Sequence, residues 1–171
     1  MKRILAVLLA ACLAWGCALA EPFDGFSLEL PELAEAEYQE KADGAYLFSG
    51  AADLGGGAPV ILACRWFEQL PEQTPEAVLE EIDADARSQG FSVAESELMR
   101  SEAAEDGAQI CLVRQQLVMR IGVGKLETPM YTGRMAFDRG AAGAYVFTVT
   151  STEPETAEAG LQLFAAVEWA D

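Results

Sequence analysis

The chain has 171 residues, 28 acidic against 11 basic side chains, no histidine and a net charge of −17. That balance excludes nucleic-acid binding, which needs clustered Lys and Arg to neutralise phosphates, and works against anionic membrane surfaces. The missing histidine removes Ser-His-Asp and Cys-His catalysis, His-ligated zinc and the usual general base at neutral pH.

Residues 1–20 have the three parts of a secretory leader. Lys2 and Arg3 are followed by an uncharged apolar run over residues 4–15. Ala18-Leu19-Ala20 is a small-x-small cleavage site before Glu21. A cut between Ala20 and Glu21 is therefore expected. It leaves residues 21–171 as one exported domain with no membrane span. The loss of two basic residues makes that domain still more acidic. A second reading anchors the protein to the cell envelope by a lipid on Cys12 or Cys17. Leu9-Ala10-Ala11-Cys12 looks like a lipobox, and Ala14-Trp15-Gly16-Cys17 is a poorer version with Trp15 at a small-residue position. Removing the leader leaves Cys64 and Cys111 as the only thiols. They form one disulfide or remain buried as small hydrophobes.

Past the leader, Phe26, Leu28 and Leu30 alternate with Ser27 and Glu29, which predicts a half-buried strand ended by Pro31. Residues 31–44 are acidic and alanine-rich and read as a short helix or a loop. A hairpin follows, with strands over residues 45–51 and 59–67 and Gly55-Gly56-Gly57 in the connection. In its second strand Val60, Leu62, Cys64 and Trp66 share one face, and Ile61, Ala63, Arg65 and Phe67 the other. A strand apolar on both faces is central. Residues 69–74 are a linker.

Thr74 and Pro75 open a helix near residues 75–89, with Thr74 as N-cap and Gly90 beyond its end. Val78, Leu79, Ile82 and Ala86 form its apolar stripe. Glu80, Glu81, Asp83 and Asp85 are expected to face water. Strands are predicted over residues 91–99 and 108–119, with an acidic turn over 101–107. Gly122, Gly124 and Pro129 are expected to break the chain. A second hairpin pairs residues 130–137 with 144–151. The last element is a helix near residues 153–169, with Thr152 and Glu155 as a capping box and Ala157, Leu161, Phe164, Ala165 and Trp169 on its apolar face. The order predicts an α+β fold, a largely antiparallel sheet sandwiched between helices.

The opening "GFSLELP", the long helix after the first hairpin, and the strand "YVFTVTST" leading into a C-terminal amphipathic helix together resemble the PsbP-like family. The resemblance spans most of residues 21–171. It implies an α/β/α sandwich and an accessory or binding role outside the cytoplasm. Many relatives are exported bacterial proteins or lipoproteins, and the plant members are accessory proteins of photosystem II. Nothing in this chain matches the cofactor-related segments of the plant members.

The motifs that suggest other chemistry are incomplete. "IGVGKLE" lacks the first Gly and the final Ser or Thr of a phosphate loop. "LGGGAP" is a hairpin connection with no helix start behind it. "DADARSQG" places Asp83 and Asp85 as in a calcium loop, but Arg87, Ser88 and Ala94 stand at the other key positions. A solvated helix face explains these acids better, with at most weak calcium binding. Paired carboxylates for hydrolysis are the alternative function, yet no pair stands out among 28 acids. Arg65 beside Trp66, and Arg134 near Tyr131, lie in apolar strands. Together they suggest a sheet face that holds a carboxylate or a peptide; arginine stems lying over the sheet, paired to Glu, are the plainer reading. The expected function is a non-catalytic binding or accessory domain for an unidentified protein or small molecule, with no cofactor and no metal.

Overall fold

The computed structural model describes residues 20–23, 25–55, 57–104, 106–121 and 124–170. The leader expected over residues 1–20, with Cys12 and Cys17, lies outside the described residues except for Ala20, which opens the first strand. In chain order the elements are β1 (Ala20–Phe23), β2 (Phe26–Glu29), β3 (Ala34–Tyr38), β4 (Tyr46–Ala52), β5 (Val60–Phe67), α1 (Pro75–Ser88), β6 (Ser92–Ala103), β7 (Gln109–Ile121), β8 (Gly124–Asp138), β9 (Ala144–Ser151), α2 (Pro154–Phe164) and β10 (Glu168–Trp169). This is an α+β fold built on antiparallel pairing. Seven strands form one sheet in the order β3-β4-β5-β9-β8-β7-β6, and β1-β2-β10 form a small second sheet.

Strand β5 sits between β4 and β9, as its two apolar faces require. Its residues Val60, Leu62 and Cys64 are buried beside Phe48, Phe147 and Val149 in the main core. Helix α2 closes this face together with the small sheet. Phe164 packs on Phe147 at 5.1 Å, Phe26 meets Phe147 edge-on at 5.3 Å, and Trp169 meets Phe137 at 4.9 Å. Aromatic pairs of this kind are worth about 0.5–1.5 kcal/mol each beyond the area they bury. Two glycines set how close α2 comes. A Cβ on Gly133 of β8 would lie 2.7 Å from Leu161, and one on Gly160 of α2 would run into Val149 of β9.

Helix α1 lies against the opposite face. Val78 and Ile82 pack on Cys111 and Val113 of β7, with Leu98 of β6 beside them. Its start follows the sequence closely: Thr74 is the N-cap, its hydroxyl accepting from the Ala77 amide at 3.4 Å, and Pro75 is the first helical residue.

Several elements differ from expectation. Within residues 31–44 there is a strand, β3, rather than a helix. It pairs with β4 through a bulge at which Glu35 takes φ 55°, and all five of its residues are exposed. An edge strand whose residues are all exposed leaves no burial pattern to read. Pro129 does not break the chain: β8 runs through it to Gly124. Strand β9 ends opposite Tyr131, so Pro129 lies where β8 has one neighbour, a place a sheet tolerates proline. Strand β6 extends to Ala103, which shortens the acidic turn. The final helix stops at Phe164, and Glu168 and Trp169 pair with Ser27 and Phe26. Trp169 fits a helical spacing from Leu161 and Ala165, but its ring is taken by Phe26, Phe137 and Tyr145. The capping box does not form. Glu153 is the N-cap, without a side-chain bond to the helix amides, and the Thr156 hydroxyl donates to its carboxylate at 3.3 Å.

The close approach at Gly160 gives a test. Alanine in a helix interior ordinarily gains about 1 kcal/mol over glycine. Here Gly160→Ala is expected to lose about 1–3 kcal/mol, because the methyl overpacks against Val149. Chemical denaturation measures the sign.

Candidate functional site

The sheet face beneath α1 holds the buried charge. Helical spacing puts Glu81 and Asp85 one turn apart on the side of α1 that faces the sheet. Arg65 rises from β5 and Arg134 from β8, with β9 between them. The Glu81 carboxylate bridges the two arginines, Oε1 at 3.3 Å from Arg65 Nη1 and Oε2 at 3.0 Å from Arg134 Nη2. Arg65 is further held by Asp85 at 3.7 Å and donates from Nε to the Gly44 carbonyl at 3.1 Å. Its guanidinium stacks near Tyr46 and Phe67, 5.4 and 5.0 Å from the ring centres. Beside this cluster Gln115 donates to Asp83 at 2.7 Å, and Arg87 pairs with the same carboxylate at 3.3 Å. Glu81 and Asp83 therefore turn toward the sheet, not toward water as the sequence suggested.

Arg134 is 1% exposed. Its contact with Glu81 has ion-pair distance but not hydrogen-bond alignment, and Nε and Nη1 have no acceptor among the described residues. Burial lowers the pKa of this guanidinium from its ordinary value, nearby Arg65 lowers it further, and Glu81 opposes both. Buried donors without acceptors are uncommon and costly, so their position matters.

A groove of about 210 Å³ opens next to the cluster, between α1 and the sheet. Its floor carries Thr132, Thr148 and Thr150, and Thr132 and Thr150 face each other at 3.4 Å between hydroxyl oxygens. Ile82, Ala86 and Phe91 form one apolar wall, with Leu117 and Met130 further along. Asp85 and Tyr46 line it near the arginines. Arg134 follows Thr132 on the same face of β8 and pairs with Thr148 across to β9. Arg134 therefore neighbours two floor residues along the strands, but its own side chain is buried and does not line the groove. Two wider depressions, of about 430 and 420 Å³, lie beside Glu29 and Glu168 and beside Glu32 and Asp53, all four of them exposed. Neither contains a buried charge.

Of the four residues expected to face a ligand together, the structure brings two together. Arg65 and Arg134 meet through Glu81. Trp66 and Tyr131 point to the opposite face, because neighbours along a strand alternate and β8 keeps regular register from Tyr131 to Arg134. The Trp66 indole donates to the Ala142 carbonyl at 3.0 Å, and Lys41 lies 4.9 Å over its ring. Sequence reasoning missed Glu81, Asp85 and the threonines as members of one site. The run "TVTS" in β9 held a usable signal, since its alternation sends Thr148 and Thr150 to the face opposite Phe147 and Val149.

Cys64 and Cys111 are free and buried. They belong to separate cores on opposite faces, with β9 and β8 between their strands. At about 4.8 Å per strand step that separation is far beyond the roughly 7 Å limit for a disulfide. Burial pushes the Cys64 thiol well above its usual range. Asp83 and Asp85, the two calcium-loop matches, are engaged by Gln115, Arg87 and Arg65. Among the described residues no group of three or more Cys, Asp or Glu stands together as a metal site. Among the same residues no helix is long and apolar enough to cross a membrane.

Two measurements follow. Glu81→Gln strips the buried Arg134 of its counter-charge and is expected to cost about 3 kcal/mol, the low end for breaking a buried pair, because Glu81 is 28% exposed. Adding Arg134→Met should restore at least half of that loss, read by denaturation of the single and double variants. Alkylation with peptide mapping should label Cys64 and Cys111 only after unfolding, and no peptide linking the two should appear.

No family model matches the chain, and no curated protein matches it. In three dimensions the chain is similar to the solution structure of cyanobacterial PsbP (CyanoP) from Synechocystis sp. PCC 6803 over 93% of its own length and 97% of the other's, at 13% identity and a TM-score of 0.49. That protein belongs to the family the sequence resembles.

Proposed function

We propose that this protein is an exported, non-catalytic binding domain that holds a small ligand in the groove between α1 and the sheet. The observation behind this reading is the open, mostly apolar groove itself, lined by Ile82, Ala86, Phe91, Leu117 and Met130 over a floor of threonines, with Asp85 at one side. Ligand sites are concave, largely apolar and fixed by a few polar groups, and this groove has that composition. The carboxylates nearest to it do not form a hydrolytic pair. Glu81 and Asp85 both serve the arginines, and the chain has no histidine to complete a triad. The domain is an α/β/α sandwich in this reading, with α1 covering one face of the seven-stranded sheet and α2 the other. The leader is cut between Ala20 and Glu21, and residues 21–171 act outside the cytoplasm as an accessory protein.

Two experiments test this. The mass of the N-terminal peptide from native cells should begin at Glu21; a lipid on Cys12 or Cys17 would replace the free protein with an anchored one. Titrating the labelled protein with the small-metabolite fraction of its own cells should shift the amide resonances of Thr132, Thr148 and Phe91. Ala86→Leu, which fills the groove, should abolish those shifts while the rest of the spectrum persists. Shifts confined to another surface, or none, would sink the groove as the site.

A further inference from the structure

Given the groove as a ligand site, its lining narrows the ligand. We propose that it binds a small primary amine, a monocation with an apolar body, with the ammonium on Asp85.

Three observations converge. First, Asp85 is the one charged side chain that lines the groove, and among the described residues no lysine or arginine does. The arginines of the cluster stay outside the lining. Arg134 is buried at every guanidinium nitrogen, and Arg65 donates to Glu81 and to the Gly44 carbonyl. An anion in the groove would meet a carboxylate and no counter-charge. Second, Asp85 is open to a donor. Its side chain is 46% exposed, its contact with Arg65 is an ion pair at 3.7 Å, and among the described residues neither carboxylate oxygen accepts a hydrogen bond. The acids also outweigh the arginine at this end. Tyr46 lines the groove too, and its phenol is raised above its ordinary pKa, first by burial and then by Asp85, with Glu81 adding to the rise and Arg65 opposing it. Charges that disfavour a phenolate favour an ammonium. Third, the rest of the lining suits an apolar body. Ile82 and Ala86 stand beside Asp85 on α1, and Phe91, Leu117 and Met130 continue the wall. The volume of about 210 Å³ lies below the ~300–1,000 Å³ of sites for drug-sized molecules, which suits a single ring or a short alkyl chain. Tyr46 and Phe91 are the only rings in the lining, and Tyr46 already lies 5.4 Å from Arg65. That is no aromatic cage for a quaternary ammonium. Ammonium N–H groups suit the carboxylate and the hydroxyls of Ser49 and Thr148, which flank Ala63 from the adjacent strands.

Isothermal titration with 2-phenylethylamine, its trimethylammonium analogue, 2-phenylethanol and 3-phenylpropionate separates the parts of this proposal. An ionic strength of about 0.15 M screens diffuse attraction to the acidic surface beyond about 8 Å. 2-Phenylethylamine should bind about tenfold more tightly than the alcohol or the trimethylammonium compound, since only it donates charged hydrogen bonds. 3-Phenylpropionate should bind weakest of the four. Labelled protein should show the amine's shifts at Phe91 and Thr148. Asp85→Asn should bring the amine down to the affinity of the alcohol and leave the alcohol unchanged. Glu76→Gln, at an exposed acid in the first turn of α1, should change neither. The ranking of the four compounds on the unaltered protein stands without either variant. Groove shifts with equal affinity for the amine and the alcohol, or for the amine and its trimethylammonium analogue, would overturn the primary amine and leave the groove as a site. Tighter binding of 3-phenylpropionate would do the same. Equal weakening by Asp85→Asn and Glu76→Gln would overturn it as diffuse attraction. The absence of groove shifts with any of the four compounds would overturn the amine too, and the metabolite-fraction titration then decides whether the groove binds at all.

Discussion

A single carboxylate, Glu81, answers two arginines at once, and the position of α1 depends on it. The helix rests on an ordinary apolar seam, Val78 and Ile82 on Cys111 and Val113. That seam reaches toward β6 and β7. Glu81 pulls the helix the other way, across β8 to β5, and so holds it over the middle of the sheet. The groove is what remains between the helix and the floor where side chains are short. Threonines and Ala63 sit there instead of the aromatics that fill the far face.

The two faces of the sheet work differently. On the α2 side, rings pack edge to face and two glycines let the helix approach closely. That side gives cohesion. On the α1 side, hydroxyls, amides and charges are met by specific partners, and one partner is short of acceptors. Cohesion on one side lets the other keep polar groups buried, since their desolvation is set against a large apolar core.

Local sequence signals carried much of the fold into view. Thr74-Pro75 marked the start of α1 because capping is a local event. The double apolar character of residues 60–67 marked a central strand because both faces are covered. Reading failed where stability comes from distant partners. Strand β3 is exposed at every residue, so no alternation of buried and exposed side chains announces it. Trp169 has a spacing suited to a helix, yet its ring partners lie on β2, β8 and β9, which a linear pattern does not reveal. The candidate site was half legible. Arg65 and Arg134 stood out as charges in apolar strands. Their meeting through Glu81 depends on strand order, which brings β5 and β8 to either side of β9. Trp66 and Tyr131 were grouped with them by proximity in sequence, and strand alternation separates them.

The sheet's two outer strands bear on how copies of this protein meet. Strand β3 displays Glu35 and Glu37, and β6 displays Glu95, Glu97 and Glu102 with Arg100 among them. Edge strands are natural templates for pairing with another chain, and charges along them oppose it. Two molecules approaching edge to edge would bring rows of carboxylates face to face. The acidity of the chain is thus placed where unwanted polymerisation would begin, and crowding would not readily zip its sheets into a continuous ribbon.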